Sequence, residues 1–440
     1  FRFELQHKLT SLDQKTGQTI IAIVGDEMRG HPGVSGRVFG ALGRHNINIT
    51  AIAQGASERN ISCVVDSAQQ VRALNIIHQT FFEARKRLAL VVIGVGNIGG
   101  ALLRQLGQQK DYLLTRGFDV TVVGLSNSRH FVLDARGLNL SRWPQKLSAS
   151  RRRSNPQTLA AEIAKLELTD AAIVDCTASE LVVKAYPDFV RANLHIITPN
   201  KRANVLPWRE YATLMELMRQ RQKYFFDEAN VGAGLPIMST IRDLVASGDV
   251  IKKVEGIFSG TLSYLFNTFT GAEPFSELVR AAHATGLTEP DPRDDLSGQD
   301  VARKLLILAR QSGSRMELED VAVESLVPPG LVAGAFSHKF FASFARQDAM
   351  IAARLKRAQA HGAVLRYVGT LEGERARAGI KRFSRDHPMA TAKGSDNIIT
   401  FTTSRYASTP LVVQGPGAGA EVTAMGVFSD ILKLLNYLPH

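Results

Sequence analysis

The fold is decided by Leu88-Ala89-Leu90-Val91-Val92-Ile93-Gly94-Val95-Gly96-Asn97-Ile98-Gly99-Gly100. Six apolar residues in unbroken succession read as a strand buried on both faces, the kind found in parallel sheets. The glycines follow at once in a GxGxxG spacing and open a helical pattern over Ala101–Gln109. Strand, glycine turn and helix together are the context in which this spacing binds a dinucleotide. Gly94 permits the tight turn, Gly96 lets the backbone approach a pyrophosphate, and Gly99 lets helix and strand pack closely. With Asn97 and Ile98 they form a phosphate cradle at a helix N-terminus, where free N–H groups and the dipole favour anions.

Apolar strands recur downstream at Val120–Val123, Ala171–Val174 and His195–Thr198, so the block reads as a Rossmann-type α/β domain. Ligands bind at the carboxyl ends of such strands. Thr177 and Lys201, just beyond two of these ends, are therefore pocket candidates. The second strand runs into Gly124-Leu-Ser-Asn-Ser-Arg129, with no carboxylate for a ribose diol. Arg129 is placed to meet a 2′-phosphate, which favours NADP(H), with NAD(H) as the alternative.

Two flanking blocks differ. Before the glycine turn, Thr19–Val24, Val34–His45, Ile47–Ala53, Ile61–Val65 and Ala68–Phe82 read as β-α-β-β-α, a ferredoxin-like layout, with Phe1–Leu5 as a further strand. Arg85-Lys86-Arg87 reads as a solvated boundary. From about residue 236, helices (Ile237–Ala246, Phe275–Ala284, Val301–Gln311, Asp348–Ala360) mix with late strands (Leu365–Thr370, Arg377–Lys381, Ile398–Thr403, Leu411–Val413), an α+β pattern.

The densest polar run is Thr288–Lys304, TEPDPRDDLSGQDVARK. Its carboxylates sit in a proline-stiffened loop and repel one another, so a cation is expected beside them. Asp300 and Lys304 follow at i and i+4 and share one helix face.

Composition sets outer limits. At 440 residues the chain holds two to four domains. Its net charge of +12 comes from scattered basic residues, Arg151–Arg153 apart, so no nucleic-acid partner is expected. Two cysteines exclude a disulfide scaffold. No apolar run is long enough for a membrane span, and a reducing cytoplasm is the expected compartment.

From Leu88 to Leu438 the sequence resembles homoserine dehydrogenase. The resemblance rests on GVGNIGG (94–100), DCT (175–177), TPNK (198–201), VGAGLP (231–236), EGIFSGTLSY (255–264), the 288–304 run, KGSDN (393–397) and QGPGAGAEVTAMGV (414–427). The first block, with IAQGASERNIS at 52–62, resembles the ACT module that precedes this enzyme in bifunctional aspartokinase–homoserine dehydrogenases. Phe1 is no initiator Met, and the resemblance implies a kinase domain upstream.

It further implies an ACT-type domain over 1–85, a dinucleotide-binding domain over 88–235 and 412–440, and a catalytic and oligomerisation domain over 236–411. The implied reaction is NAD(P)H-dependent reduction of L-aspartate 4-semialdehyde to L-homoserine, with threonine as an effector and a homodimer or homotetramer as the assembly. By resemblance Lys304 donates the proton, Asp300 orients it or the substrate, and Lys201 is a second active-site lysine near cofactor and substrate. Glu289 and Asp295 hold the substrate's amino group, and Gly286 and Gly419 line the pocket. The resemblance also implies a sodium ion on the Glu228 carboxylate and the carbonyls of Val231, Ala233 and Leu235. Spacing alone would read that turn only as a hinge. Ala178 departs from the expected second hydroxyl after Thr177, and Pro416 stiffens the late glycine cluster.

Two rivals remain. Aspartate-semialdehyde dehydrogenase needs a cysteine nucleophile and a histidine base, and Cys176 has no evident histidine partner. A non-catalytic nucleotide sensor has no need of the acid–lysine array at 288–304.

Overall fold

The computed structural model describes residues 14–82, 85–332, 334–337 and 339–438. The strand expected at Phe1–Leu5 lies outside them.

The N-terminal block is a three-stranded antiparallel sheet, β1 (Gln18–Val24), β2 (Ala51–Gln54) and β3 (Asn60–Asp66), in the order β1-β3-β2. Helices Val34–Arg44 and Gln70–Phe82 cover one face, and Val38, Leu42, Cys63, Val65 and Ile76 form the core between. The expected strand at Ile47–Ala53 begins only at Ala51. Asn46 takes a left-handed φ of 58°, and Ile47 N–H returns to the Leu42 carbonyl at 3.0 Å. That closes the first helix in a Schellman turn, so Ile47 is buried as the helix's hydrophobic cap instead of entering the sheet.

The central sheet has the order β6-β5-β4-β7-β8-β9. Its strands are β4 (Lys86–Ile93), β5 (Phe118–Ser126), β6 (Phe131–Leu133), β7 (Ala171–Asp175), β8 (His195–Ile197) and β9 (Phe225–Phe226), all parallel except β6. The chain runs from β4 outward to β5, then crosses to β7 on the other side of β4. The crevice at the carboxyl end of β4 is therefore the topological switch point where ligands bind. The expected boundary at Arg85–Arg87 is corrected here. Lys86 and Arg87 already belong to β4, where the Lys86 ammonium donates to the Leu435 carbonyl at 3.2 Å and Arg87 pairs with Asp119 at 3.4 Å.

The third sheet has the order β11-β13-β12-β10-β14-β15, built from β10 (Ile251–Ile257), β11 (Val321–Val323), β12 (Ala363–Glu372), β13 (Arg375–Ser384), β14 (Asp396–Thr403) and β15 (Leu411–Pro416). Helices Gly260–Thr268, Gln299–Gln311 and Asp348–Gln359 supply much of its core, with Phe258, Leu305 and Tyr367 buried among them. A return to the central domain at 412 does not hold, because β15 pairs with β14 from Phe401↔Leu411 to Asp396↔Pro416. Only the following helix, Ala420–Tyr437, goes back. Its Val427, Ile431 and Leu434 pack beside Leu102, Leu103 and Leu106 of the Asn97–Thr115 helix.

Candidate active site

The glycine turn is built as its spacing requires. Gly94 has φ 86°, and a Cβ there would lie 2.7 Å from Thr177 Cγ2 and 2.9 Å from the Cys176 carbonyl. A Cβ on Gly99 would lie 2.0 Å from the Gly94 oxygen, so helix and strand touch backbone to backbone. A Cβ on Gly96 would meet nothing within 4 Å. Gly96 is also the N-cap of the Asn97–Thr115 helix, whose first N–H groups no side chain caps. Open space and uncapped donors fit a pyrophosphate at Gly96, Asn97 and Ile98.

Arg129 is exposed in the turn beyond β5, where Asn127 Oδ1 accepts from its N–H at 2.8 Å. The neighbouring His130 bridges to Arg153, so the basic run at 151–153 borders the same turn.

Asp175 ends β7 as a buried hub. Its Oδ1 accepts from Thr177 N–H at 2.9 Å and Thr177 Oγ1 at 2.7 Å. Its Oδ2 accepts from Tyr186 at 2.7 Å and Asn200 Nδ2 at 3.0 Å. The Thr177 hydroxyl, a cofactor candidate, thus spends its proton on Asp175. Burial pushes the Cys176 thiol up, and the Asp175 carboxylate adds to this. A thiolate nucleophile is disfavoured, and with it the aspartate-semialdehyde dehydrogenase reading.

Gly298, at φ 73°, caps the Gln299–Gln311 helix that carries Asp300 and Lys304. The Lys304 ammonium lies 2.8 Å from Asp300 Oδ2 and donates to the Phe258 carbonyl at 2.6 Å. Lys201 approaches Asp300 Oδ1 at 3.4 Å from beyond β8. One carboxylate therefore joins lysines of two domains. Burial alone would raise the Asp300 pKa, but Lys304 and Lys201 outweigh it and hold the carboxyl well below its usual range. Burial lowers the Lys304 pKa, with Asp300 opposing and Lys201 adding repulsion. A lysine eased toward neutrality releases a proton more readily.

Lys201, Glu289, Asp295 and Asp300 line one cavity of about 790 Å³. Glu289 N–H donates to Asp295 Oδ2 at 2.8 Å. Burial raises the Asp295 pKa, and the Glu289 and Asp300 charges add to this. A substrate ammonium would relieve that crowding. Gly286, at φ 72°, ends the Phe275–Ala284 helix, and Gly419, at φ 112°, caps the last helix. Neither lines this cavity among the described residues.

Sequence reasoning assigned no role to Asn397 or to the Phe258 carbonyl. Asn397 Nδ2 donates to that carbonyl at 3.3 Å, so it shares the acceptor that holds Lys304. The KGSDN run marked Asn397, but a backbone acceptor leaves no signature in sequence.

The sodium set does not fit through its carboxylate. Glu228 Oε1 accepts from Met238 N–H at 2.9 Å, Oε2 accepts from Ser239 N–H at 3.1 Å, and the Lys433 ammonium also donates to Oε2. The Leu235 carbonyl accepts from Ile237 N–H at 2.8 Å. Val231 and Ala233 lie in the same turn, Ala233 at φ 54°. The Lys433 ammonium thus already supplies the Glu228 carboxylate with a counter-charge.

Fold and glycine turn define a dinucleotide-binding type of α/β domain with an attached α+β domain and a small N-terminal module. The ACT domain family matches residues 21–81, the homoserine dehydrogenase NAD-binding domain 94–228, and the homoserine dehydrogenase catalytic family 236–432. The chain belongs to the homoserine dehydrogenase family. It is 46% identical over 438 residues to the chloroplastic bifunctional aspartokinase/homoserine dehydrogenase 2 of Zea mays, covering 98% of this chain and 47% of that one. The chain thus spans about half the length of the curated relatives it matches. A Candida auris protein of unknown function is 35% identical with a TM-score of 0.74, covering 80% of this chain and 99% of that one. A hyperthermophilic archaeal homoserine dehydrogenase solved with NADPH is 20% identical with a TM-score of 0.61, covering 80% of this chain and 99% of that one. That last likeness speaks for the fold alone.

Proposed function

We propose that this chain catalyses the reversible reduction of L-aspartate 4-semialdehyde to L-homoserine with NADPH in preference to NADH. The observation that carries the reading is the Lys304–Asp300–Lys201 ion-pair array, whose Asp300 and Lys201 line one cavity together with Glu289 and Asp295. The nicotinamide, when bound, supplies the hydride. Glu289 and Asp295 receive the substrate ammonium and so fix the aldehyde toward the lysines. As the carbonyl oxygen gains negative charge, Lys304 stabilises it and gives it a proton. Asp300 keeps the lysine in place, and Lys201 adds a second positive charge. Arg129 receives the 2′-phosphate, and Gly94, Gly96, Asn97, Ile98 and Gly99 the pyrophosphate. Thr177 orders the strand end beside the cofactor, with Gly286 and Gly419 at the pocket margin.

The domain limits we favour are an ACT module ending before Lys86, a dinucleotide domain completed by the Ala420–Tyr437 helix, and a catalytic domain running through β15. The ACT module answers to an amino acid, threonine by preference, and the late strands join copies into a homodimer or homotetramer. In the whole protein an aspartokinase is fused upstream. No described helix is long and apolar enough to cross a membrane; the compartment proposed is the cytoplasm.

The test is an assay of purified protein with semialdehyde and with homoserine, using NADPH and NADH, with and without threonine. Turnover with NADPH is expected. Absence of turnover with either cofactor overturns the enzyme reading and favours a nucleotide sensor.

A further inference from the structure

The proposed substrate is a zwitterion, and the roles above account for its ammonium and its aldehyde but leave its α-carboxylate without a partner. An anion entering this cavity meets Glu289, Asp291, Asp294, Asp295 and Asp300. It needs a cation to enter, because a carboxylate taken from water without one is strongly disfavoured. The cavity wall holds three cationic side chains, Lys201, Arg293 and Arg303. Lys201 is tied to Asp300. The Arg293 guanidinium is taken up by the Asp291 carboxylate at 2.6 Å and by the carbonyls of Leu331 at 3.2 Å and Gly334 at 2.9 Å. Arg303 is exposed and makes no hydrogen bond or ion pair among the described residues.

We propose that Arg303 receives the α-carboxylate of the amino-acid substrate and is the residue that selects for it. The inference rests on the function proposed above. Arg303 stands three residues after Asp300 on one helix, so its stem starts beside the proton-donating pair. A guanidinium offers a planar fork that matches a carboxylate with two parallel hydrogen bonds. An ammonium held by Glu289 and Asp295, a carboxylate held by Arg303 and an aldehyde oxygen at Lys304 would fix the substrate at three points. Three points also select one enantiomer.

The experiment compares L-homoserine with 3-amino-1-propanol, which carries hydrogen in place of the carboxylate, in wild type and Arg303→Ala. The second compound is read as a substrate or as a competitive inhibitor, and calorimetry measures L-homoserine binding independently of turnover. In Arg303→Ala we expect kcat/KM for L-homoserine to fall about 10- to 100-fold, the range for a charged hydrogen bond. The constant for 3-amino-1-propanol should stay within about twofold, as should NADPH binding. Arg303→Lys should recover part of the loss, since it keeps charge without the fork. Equal losses on both compounds, or none on L-homoserine, overturn the inference while wild-type turnover keeps the proposed function standing. A wild type that neither oxidises nor binds L-homoserine overturns both.

Discussion

Asp300 and Lys304 meet at 2.8 Å across one helical turn, and the same carboxylate reaches Lys201 at 3.4 Å from the other domain. The Asp300–Lys201 contact thus links the catalytic domain to the dinucleotide domain. Neither lysine can move without disturbing the other's counter-charge.

Replacing Asp300 by Asn should move the pH dependence of reduction. In the proposed mechanism Lys304 acts as its protonated form, so turnover is expected to fall as pH rises through its pKa. Burial already pulls that pKa down, and Asp300 pulls it back up. Without the carboxylate the alkaline limb should shift to lower pH. Turnover measured over about pH 6 to 10 reads this directly. An unmoved limb would mean that another group supplies the proton.

Glu289→Gln keeps the shape of the cavity wall and removes one charge. The KM for the semialdehyde should rise about 10- to 100-fold, with NADPH affinity unchanged. A change mainly in NADPH affinity would reassign the residue.

Gly99→Ala puts a methyl group 2.0 Å from the Gly94 oxygen. The Asn97–Thr115 helix must then lift from β4, an overpacking that costs about 1–3 kcal/mol. Both NADPH affinity and thermal stability should fall, as titration and melting would show. Unchanged NADPH binding would sink the cradle assigned to this turn.

Local sterics and helical spacing were legible in the sequence. Gly94 and Gly99 announce themselves because no other residue fits a backbone contact, and Asp300 and Lys304 because i and i+4 share a face. What was hidden depends on distant chain. The Phe258 carbonyl that holds Lys304 is main chain, and Asn397 reaches it from 139 residues away. The sodium role of Glu228 came from the resemblance alone, and the contact of its carboxylate with Lys433 depends on the last helix, 205 residues away. The boundary at 412 failed for a similar reason. Apolar Leu411–Val413 fits either sheet by pattern, and only its register with β14 decides.

The most direct measurement is the single-turnover rate of hydride transfer from NADPH to L-aspartate 4-semialdehyde in Lys304→Ala. General acid catalysis is worth about 10²- to 10⁴-fold, so the rate should fall at least about 100-fold, with NADPH affinity within about twofold of wild type. A folded Lys304→Ala protein that transfers hydride at the wild-type rate would contradict the account and pass the proton to Lys201.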